Sequence, residues 1–246
     1  EFMDAYFGKF AVAPVVFVNV LDPASHTTSI TDETQALSDG ECTLSELGVL
    51  QDTVVVKDSE GTTTYDLDTD YTLAFDDDGY TVVTRVESGS ITEGESLTIT
   101  YDHLDPSALT SDDIVGGVDS ETGKKTGLEL VNEIFPKFRL VPGQIVAPGW
   151  SYDSSVAAAM SAKAGNINSH FQAMALIDVD DATVTQYSDV PGHKNDNNLT
   201  DKLQVICWPR VKLGDKTYWM SSQLAGLIAQ VDADNEGIPY ASPSND

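Results

Sequence analysis

Between Thr43 and Tyr101 the chain passes through short runs rich in Thr, Val and Tyr: Thr53–Val56, Thr62–Leu67, Tyr71–Phe75, Tyr80–Val86 and Ser96–Tyr101. Gly- and Asp-rich turns separate them. β-Branched and aromatic side chains suit a pleated, half-buried surface, so the spacing predicts a small antiparallel β domain. The alternation is plainest in Leu97-Thr98-Ile99-Thr100-Tyr101, where apolar and hydroxyl side chains take opposite faces of one strand.

After Gly116-Gly117 the period lengthens. Leu128, Val131, Phe135 and Phe138 sit at helical offsets until Pro136 disturbs the turn, and Leu224, Leu227, Ile228 and Val231 follow i, i+3, i+4, i+7. Between these helices come the apolar run 144–147, an Ala-rich helix over 154–168, the run Ala173–Ile177 and the run Val205–Trp208. Apolar strands without period-2 polarity, spaced by helices, indicate a parallel sheet covered on both faces. Pro14–Val20 has the same character and is assigned to this sheet. The expected architecture is α/β: a doubly wound, mainly parallel sheet formed by residues 1–35 and 118–246, with a small antiparallel β domain inserted at 36–117.

Charge sharpens that division. The 246 residues carry 13 Lys+Arg against 40 Asp+Glu, a net charge of −27. Residues 1–117 account for −21 of it and 118–246 for −6. Such a surface repels phosphate backbones and anionic headgroups, so nucleic acid and bilayers are not expected partners. The longest apolar stretch, Phe10–Leu21, is about 12 residues and too short to span a bilayer. Cys42 and Cys207 show no zinc-ligand spacing and read as buried thiols, with one disulfide as the alternative. Glu1-Phe2 ahead of Met3 reads as a vector-derived remnant.

Candidate chemistry is sparse. An α/β body with an Asp closing an early strand invites comparison with subtilisin-like proteases, with Asp22 as the acid and Ser221 or Ser222, opening the helix with Leu224-Ala225-Gly226, as the nucleophile. None of His26, His103, His170 or His193 carries the Gly-Thr that follows a subtilase histidine, so Ser221 reads instead as a helix N-cap. The acidic runs Asp66–Asp70, Asp76–Gly79 and Asp232–Gly237 resemble calcium loops but none completes one; counted from Asp232, the position that needs a bidentate Glu is Pro243. Gly116-Gly117 lacks the Lys of a phosphate cradle. His193 falls in a polar loop reaching Thr200. Catalytic, cofactor and metal residues are accordingly expected to be none.

Five segments, in order, carry a resemblance: Val18-Asn19-Val20-Leu21-Asp22-Pro23; Pro142-Gly143 followed by Ala147-Pro148-Gly149-Trp150-Ser151; Ala173-Met174-Ala175-Leu176-Ile177-Asp178; Cys207-Trp208-Pro209; and Gly237-Ile238-Pro239-Tyr240-Ala241-Ser242-Pro243-Ser244-Asn245. Together they resemble the contractile tail sheath proteins of myophages and phage-tail-like particles. The resemblance covers essentially the whole chain, including the β region, where Asp70-Tyr71 and Leu97–Tyr101 resemble the sheath insertion. It implies a structural protein of the virion tail, assembled in the bacterial host cytoplasm. Copies would stack as hexameric rings around a tail tube, and the sheath would contract to drive the tube through a bacterial envelope. The implied partners are other sheath subunits, tube and baseplate proteins. The implied body topology is subtilisin-like without protease activity, which makes the half-matched triad shared architecture. Sheath proteins continue into a C-terminal domain and extended arms, so this chain is expected to be a core fragment, monomeric by itself, with its acidic β insertion on the outer sheath surface. The competing readings are a hydrolase of subtilisin-like fold and an extracellular adhesion module that binds through its β domain.

Overall fold

A computed structural model describes residues 2–239, 242 and 243. Tyr240, Ala241 and Ser244–Asp246, part of the last segment carrying the resemblance, lie outside the described residues. The chain forms two compact units, one spanning Leu21–Leu109 and the other combining residues up to Val20 with those from Thr110 onward.

The first unit is built from β1 (Thr27–Ala36), β2 (Glu41–Leu47), β3 (Val55–Asp58), β4 (Tyr71–Phe75), β5 (Tyr80–Arg85) and β6 (Ser96–Leu104). They form two antiparallel sheets, ordered β1-β6-β3 and β2-β5-β4, and both sheets contribute to one core. Leu97, Ile99 and Tyr101 of β6 are buried while Thr98, Thr100 and Asp102 are less so, as the alternation predicts. Glu33 ties β1 to its neighbours: it accepts from the Tyr101 hydroxyl, from the Ser45 N–H at 3.1 Å and from the Ser45 hydroxyl at 3.0 Å. Burial pushes the Glu33 pKa up, but these donors outweigh it and hold the carboxyl below its usual range. Burial and the Glu33 charge push Tyr101 up to about 12.

Most acidic runs of this unit turn out to be turn devices. Asp76 accepts from the N–H of Asp78 at 3.0 Å and of Tyr80 at 2.8 Å, and Asp70 from those of Asp66 at 2.9 Å and Ser90 at 2.7 Å. The Thr62 hydroxyl, with Thr63, holds Asp58 at about 2. Thr62–Leu67 forms only isolated bridges rather than the expected strand.

The unit boundaries fall at 20/21 and 109/110, not at 35/36 and 117/118. The reason is β1, whose Thr-rich, polar sequence hides its pairing along β6 from Thr27↔Leu104 to Ala36↔Ser96.

The second unit is a three-stranded parallel sheet, β7 (Gln144–Val146), β8 (Met174–Asp178) and β9 (Gln204–Cys207), in that order. Its helices are α1 (Ser111–Val115), α2 (Val131–Phe138), α3 (Ser154–Gly165), α4 (Val190–Asp196) and α5 (Met220–Asp234), with a hairpin of β10 (Val211–Leu213) and β11 (Lys216–Tyr218) before α5. The central strand β8 serves both faces by its period of two. Ala175 and Ile177 pack with Val156, Met160 and Ala164 of α3, whereas Leu176 packs with Ala225 of α5. Pro14–Val20, expected as a further strand, is not in a ladder. It runs extended, with Val15 buried toward the α5 side of the sheet and Val16 toward the α3 side. His193 lies in α4 rather than a loop. Asp232–Gly237 is a helix C-terminus, in which the Gly237 N–H donates to the Asp232 carbonyl at 2.7 Å.

Gly116 explains itself sterically. Its φ of 65° and ψ of −162° lie in a region open to little but glycine, and an added Cβ would sit 2.0 Å from the Thr126 carbonyl oxygen. Gly117 has open space around its Cβ position. Gly116→Ala should therefore cost about 3 kcal/mol or more and Gly117→Ala about 0.5 kcal/mol or less. Urea unfolding of the two variants checks the contrast.

Candidate functional site

The carboxyl end of the parallel sheet gathers most of the polar groups buried in the second unit. Counting by two along β8 puts Asp178 on the face of Met174 and Leu176, beneath the N-terminus of α5. There its Oδ1 accepts from the Ser221 N–H at 2.9 Å and its Oδ2 from the Ser221 hydroxyl at 2.5 Å. From the other side the Ser151 hydroxyl donates to Oδ2 at 3.1 Å and accepts from the Asp178 N–H at 2.9 Å. Asp178 is 1% exposed, and Ser151 and Ser221 are fully buried.

The arrangement is a helix cap delivered from a strand. Ser221 is not the N-cap; it is the second residue of α5, and the N-cap position, Trp219, makes no side-chain cap. Asp178 satisfies the free N–H that a local cap would have taken and places negative charge at the positive end of the helix. Ser222 donates to the Trp219 carbonyl at 2.7 Å.

The triad members singled out in the sequence are engaged locally. Asp22 holds its own turn, accepting from the Ala24 N–H at 3.0 Å and donating its N–H to His26 Nδ1 at 2.9 Å. His170 Nδ1 faces the Asn168 carbonyl at 2.7 Å, His103 Nδ1 the Leu104 carbonyl at 3.1 Å, and His193 Nδ1 the Asn197 amide at 3.4 Å. The Ser221 hydroxyl donates to a buried carboxylate rather than to an imidazole.

Two of the other quoted segments border this cluster. The turn Ala147–Ser151 is closed by the Ser151 N–H on the Ala147 carbonyl at 2.9 Å. Cys207 pairs in register with Asp178. Trp208 donates to the Val184 carbonyl at 2.7 Å, and Arg210, ion-paired with Asp181, lies 4.9 Å over the Trp219 ring, which stacks on Tyr152. Sequence reading marked Asp178 only as the end of an apolar run; the signal of its role was a lone Asp closing a strand with no other polar residue in it.

A cavity of about 440 Å³ is lined by Val16, Val18, Leu128, Val131, Ile145 and Trp150 among others, with no carboxylate, imidazole or ammonium among the described residues on its wall. Among the described residues no group of three or more His, Cys, Asp or Glu is placed to hold a metal ion, and no helix is long and apolar enough to cross a membrane.

In the buried polar cluster two serines and one acid tie the turn before α3 and the start of α5 to the end of β8. No family model matches the sequence. The chain is similar to the tail sheath protein of Burkholderia phage BcepMu, at 29% identity over 245 residues that cover 94% of this chain and 49% of that protein. It thus spans about half the length of the curated relative it matches. The resemblance to tail sheath proteins read from the five segments is borne out by this alignment.

Two outcomes follow from the cluster. Asp178→Ala takes the acceptor from two buried hydroxyls and the Ser221 N–H and should cost about 3–5 kcal/mol, against about 1–3 kcal/mol for Asp178→Asn, whose amide oxygen still accepts; denaturant midpoints read the difference. Burial pushes Cys42 up to about 11 and, with the Asp178 charge, Cys207 up to about 12, from an ordinary 9.0. Both thiols should therefore resist alkylation at pH 8 in the folded chain and react in denaturant. Because the unfolded chain surrenders these protons from about pH 9 while the folded chain keeps them, stability should fall as pH rises from 9 toward 11.

Proposed function

We propose that this chain is the body of a contractile tail sheath subunit, a non-enzymatic building block of a virion tail. The alignment with a tail sheath protein along 94% of the chain carries this reading. The site geometry agrees with it, since the serine that would serve a subtilase is spent on Asp178. In this reading the parallel sheet with its two helical covers is the subtilisin-like body of the sheath family, and its surfaces rather than any reactive group do the work. Copies assemble with one another as hexameric rings around a tail tube, meet the baseplate at one end, and contract to drive the tube through a bacterial envelope. The unit Leu21–Leu109, with 2 Lys+Arg against 20 Asp+Glu, faces outward, because −18 repeated at the crowded ring interior would add strong like-charge repulsion.

Tail particles purified from a producing culture provide the test. Mass spectrometry should find peptides of this sequence in many copies per particle, and electron microscopy should place the two units in the sheath layer with Leu21–Leu109 at the periphery. Absence of the sequence from intact tails, or its location inside the tube, overturns the proposal. Hydrolysis of peptide substrates that disappears on Ser221→Ala would overturn its non-enzymatic part.

A further inference from the structure

At the amino end of the parallel sheet the loops entering β7 and β8 differ from the rest of the molecule in charge, while the loop entering β9 carries Asp201. Acidic residues make up 40 of 246 along the chain, yet residues 134–152 and 154–177 contain none. The loops entering β7 and β8 come from these two stretches, and they meet: Phe135 and Phe171 lie 5.3 Å apart, and Val141 borders a cavity of about 400 Å³ formed with Gly165–Gln172. Lys137, Arg139 and His170 are exposed there, and Arg139 lies 5.7 Å over the Phe135 ring. Between the cations stand two large apolar side chains open to solvent, Phe138 at 58% and Val141 at 45%. The nearest acids along the chain, Glu129 and Glu133, are engaged by Lys163 and Lys125. The result is a basic and aromatic surface, the composition that dominates binding energy at protein interfaces, on a molecule of net charge −27.

We propose that the basic and aromatic surface formed by the loops entering β7 and β8 is an interaction surface for the acidic β unit, Leu21–Leu109, of a second copy of the chain. Charge complementarity selects the occupant. The β unit carries −18, and its carboxylates outnumber its cations by 20 to 2, so any face it presents supplies partners for Lys137 and Arg139. Its exposed apolar side chains, Phe75 at 56% and Leu67 at 46%, offer matching contacts for Phe138 and Val141. The inference deepens the reading of the chain as a self-assembling subunit by naming which surfaces meet. The contact is weak in a single pair of copies, since −27 opposes −27, and gains strength where an assembly holds many pairs in register.

Carbodiimide cross-linking of the full chain tests it. Equal amounts of unlabelled and ¹⁵N-labelled protein are mixed near 0.1 M salt, where a Debye length of about 10 Å suppresses repulsion between whole copies but not pairs in contact. Mixed-isotope links should join Lys137 to carboxylates within Leu21–Leu109. Arg139→Glu should cut their yield roughly fivefold or more, with Arg139→Gln intermediate. The intrachain Lys163–Glu129 link, at 2.6 Å, should persist in every variant as evidence of an intact body. Absence of mixed-isotope links at Lys137, links only to carboxylates of the body, or a yield indifferent to Arg139→Glu would each overturn the inference. Those failures in a chain still found in purified tails leave the sheath reading standing. The expected links in a chain absent from tails support this surface and defeat the sheath reading alone.

Discussion

A parallel strand that is covered on both faces has nowhere to put a charge except at its end, and β8 ends on Asp178. Met174–Ile177 gives its side chains alternately to α5 and α3, which closes both faces. Asp178 then receives the start of α5 and the turn before α3 through the Ser221 N–H and the two hydroxyls of Ser151 and Ser221. One carboxylate thus fixes where two helices meet the sheet. Its desolvation is tolerable only because every donor around it is aimed at it. Cys207 and the Trp208–Trp219 region are placed relative to that same point by the strand register and by the stacking of Arg210 on Trp219.

How far the sequence revealed this depends on how local each determinant is. The strands Tyr71–Phe75 and Ser96–Tyr101 were legible because their alternation is carried by neighbouring side chains. The helix from Ser154 was legible because its Ala-rich run follows Asp153, which caps it through the N–H groups of Ser155 and Val156. β1 was missed because Thr27–Ala36 is polar on both faces and owes its extended form to β6, about 70 residues away. Asp178 was missed as a cap because sequence reading seeks a cap immediately before its helix, whereas this one lies 43 residues upstream of Ser221. Pro14–Val20 was read too readily as a strand, since apolarity alone does not distinguish a ladder from an extended segment packed by its side chains.

The acidity of the chain has two different consequences. In the β unit much of it is spent locally: Asp58, Asp70 and Asp76 hold turns by accepting backbone N–H groups, which substitutes a carboxylate for hydrogen bonds that tight turns cannot make among themselves. Others, such as Glu33 and Glu93, take side-chain donors, and the net charge left over adds repulsion between copies in dilute solution. In the body, acids cluster near the carboxyl end of the sheet, at Asp178, Asp180 and Asp181, and are missing from the loops that enter β7 and β8 at the other end. A strongly anionic molecule thus carries one locally basic surface beside its small sheet.

The carboxyl end of a parallel sheet is where α/β proteins usually place their chemistry, because helix N-termini and strand ends converge there around a crevice. Here the same convergence is closed. The N–H groups that would greet an anion are answered by Asp178, the hydroxyl that would act as nucleophile is answered by the same carboxylate, and the approach from above is occupied by Tyr152 stacked on Trp219 under Arg210. Filling a would-be active site with its own side chains removes a binding crevice and gains a rigid junction of sheet and helices. A reactive pocket needs openness, whereas this junction spends its polar groups on holding helices against the sheet.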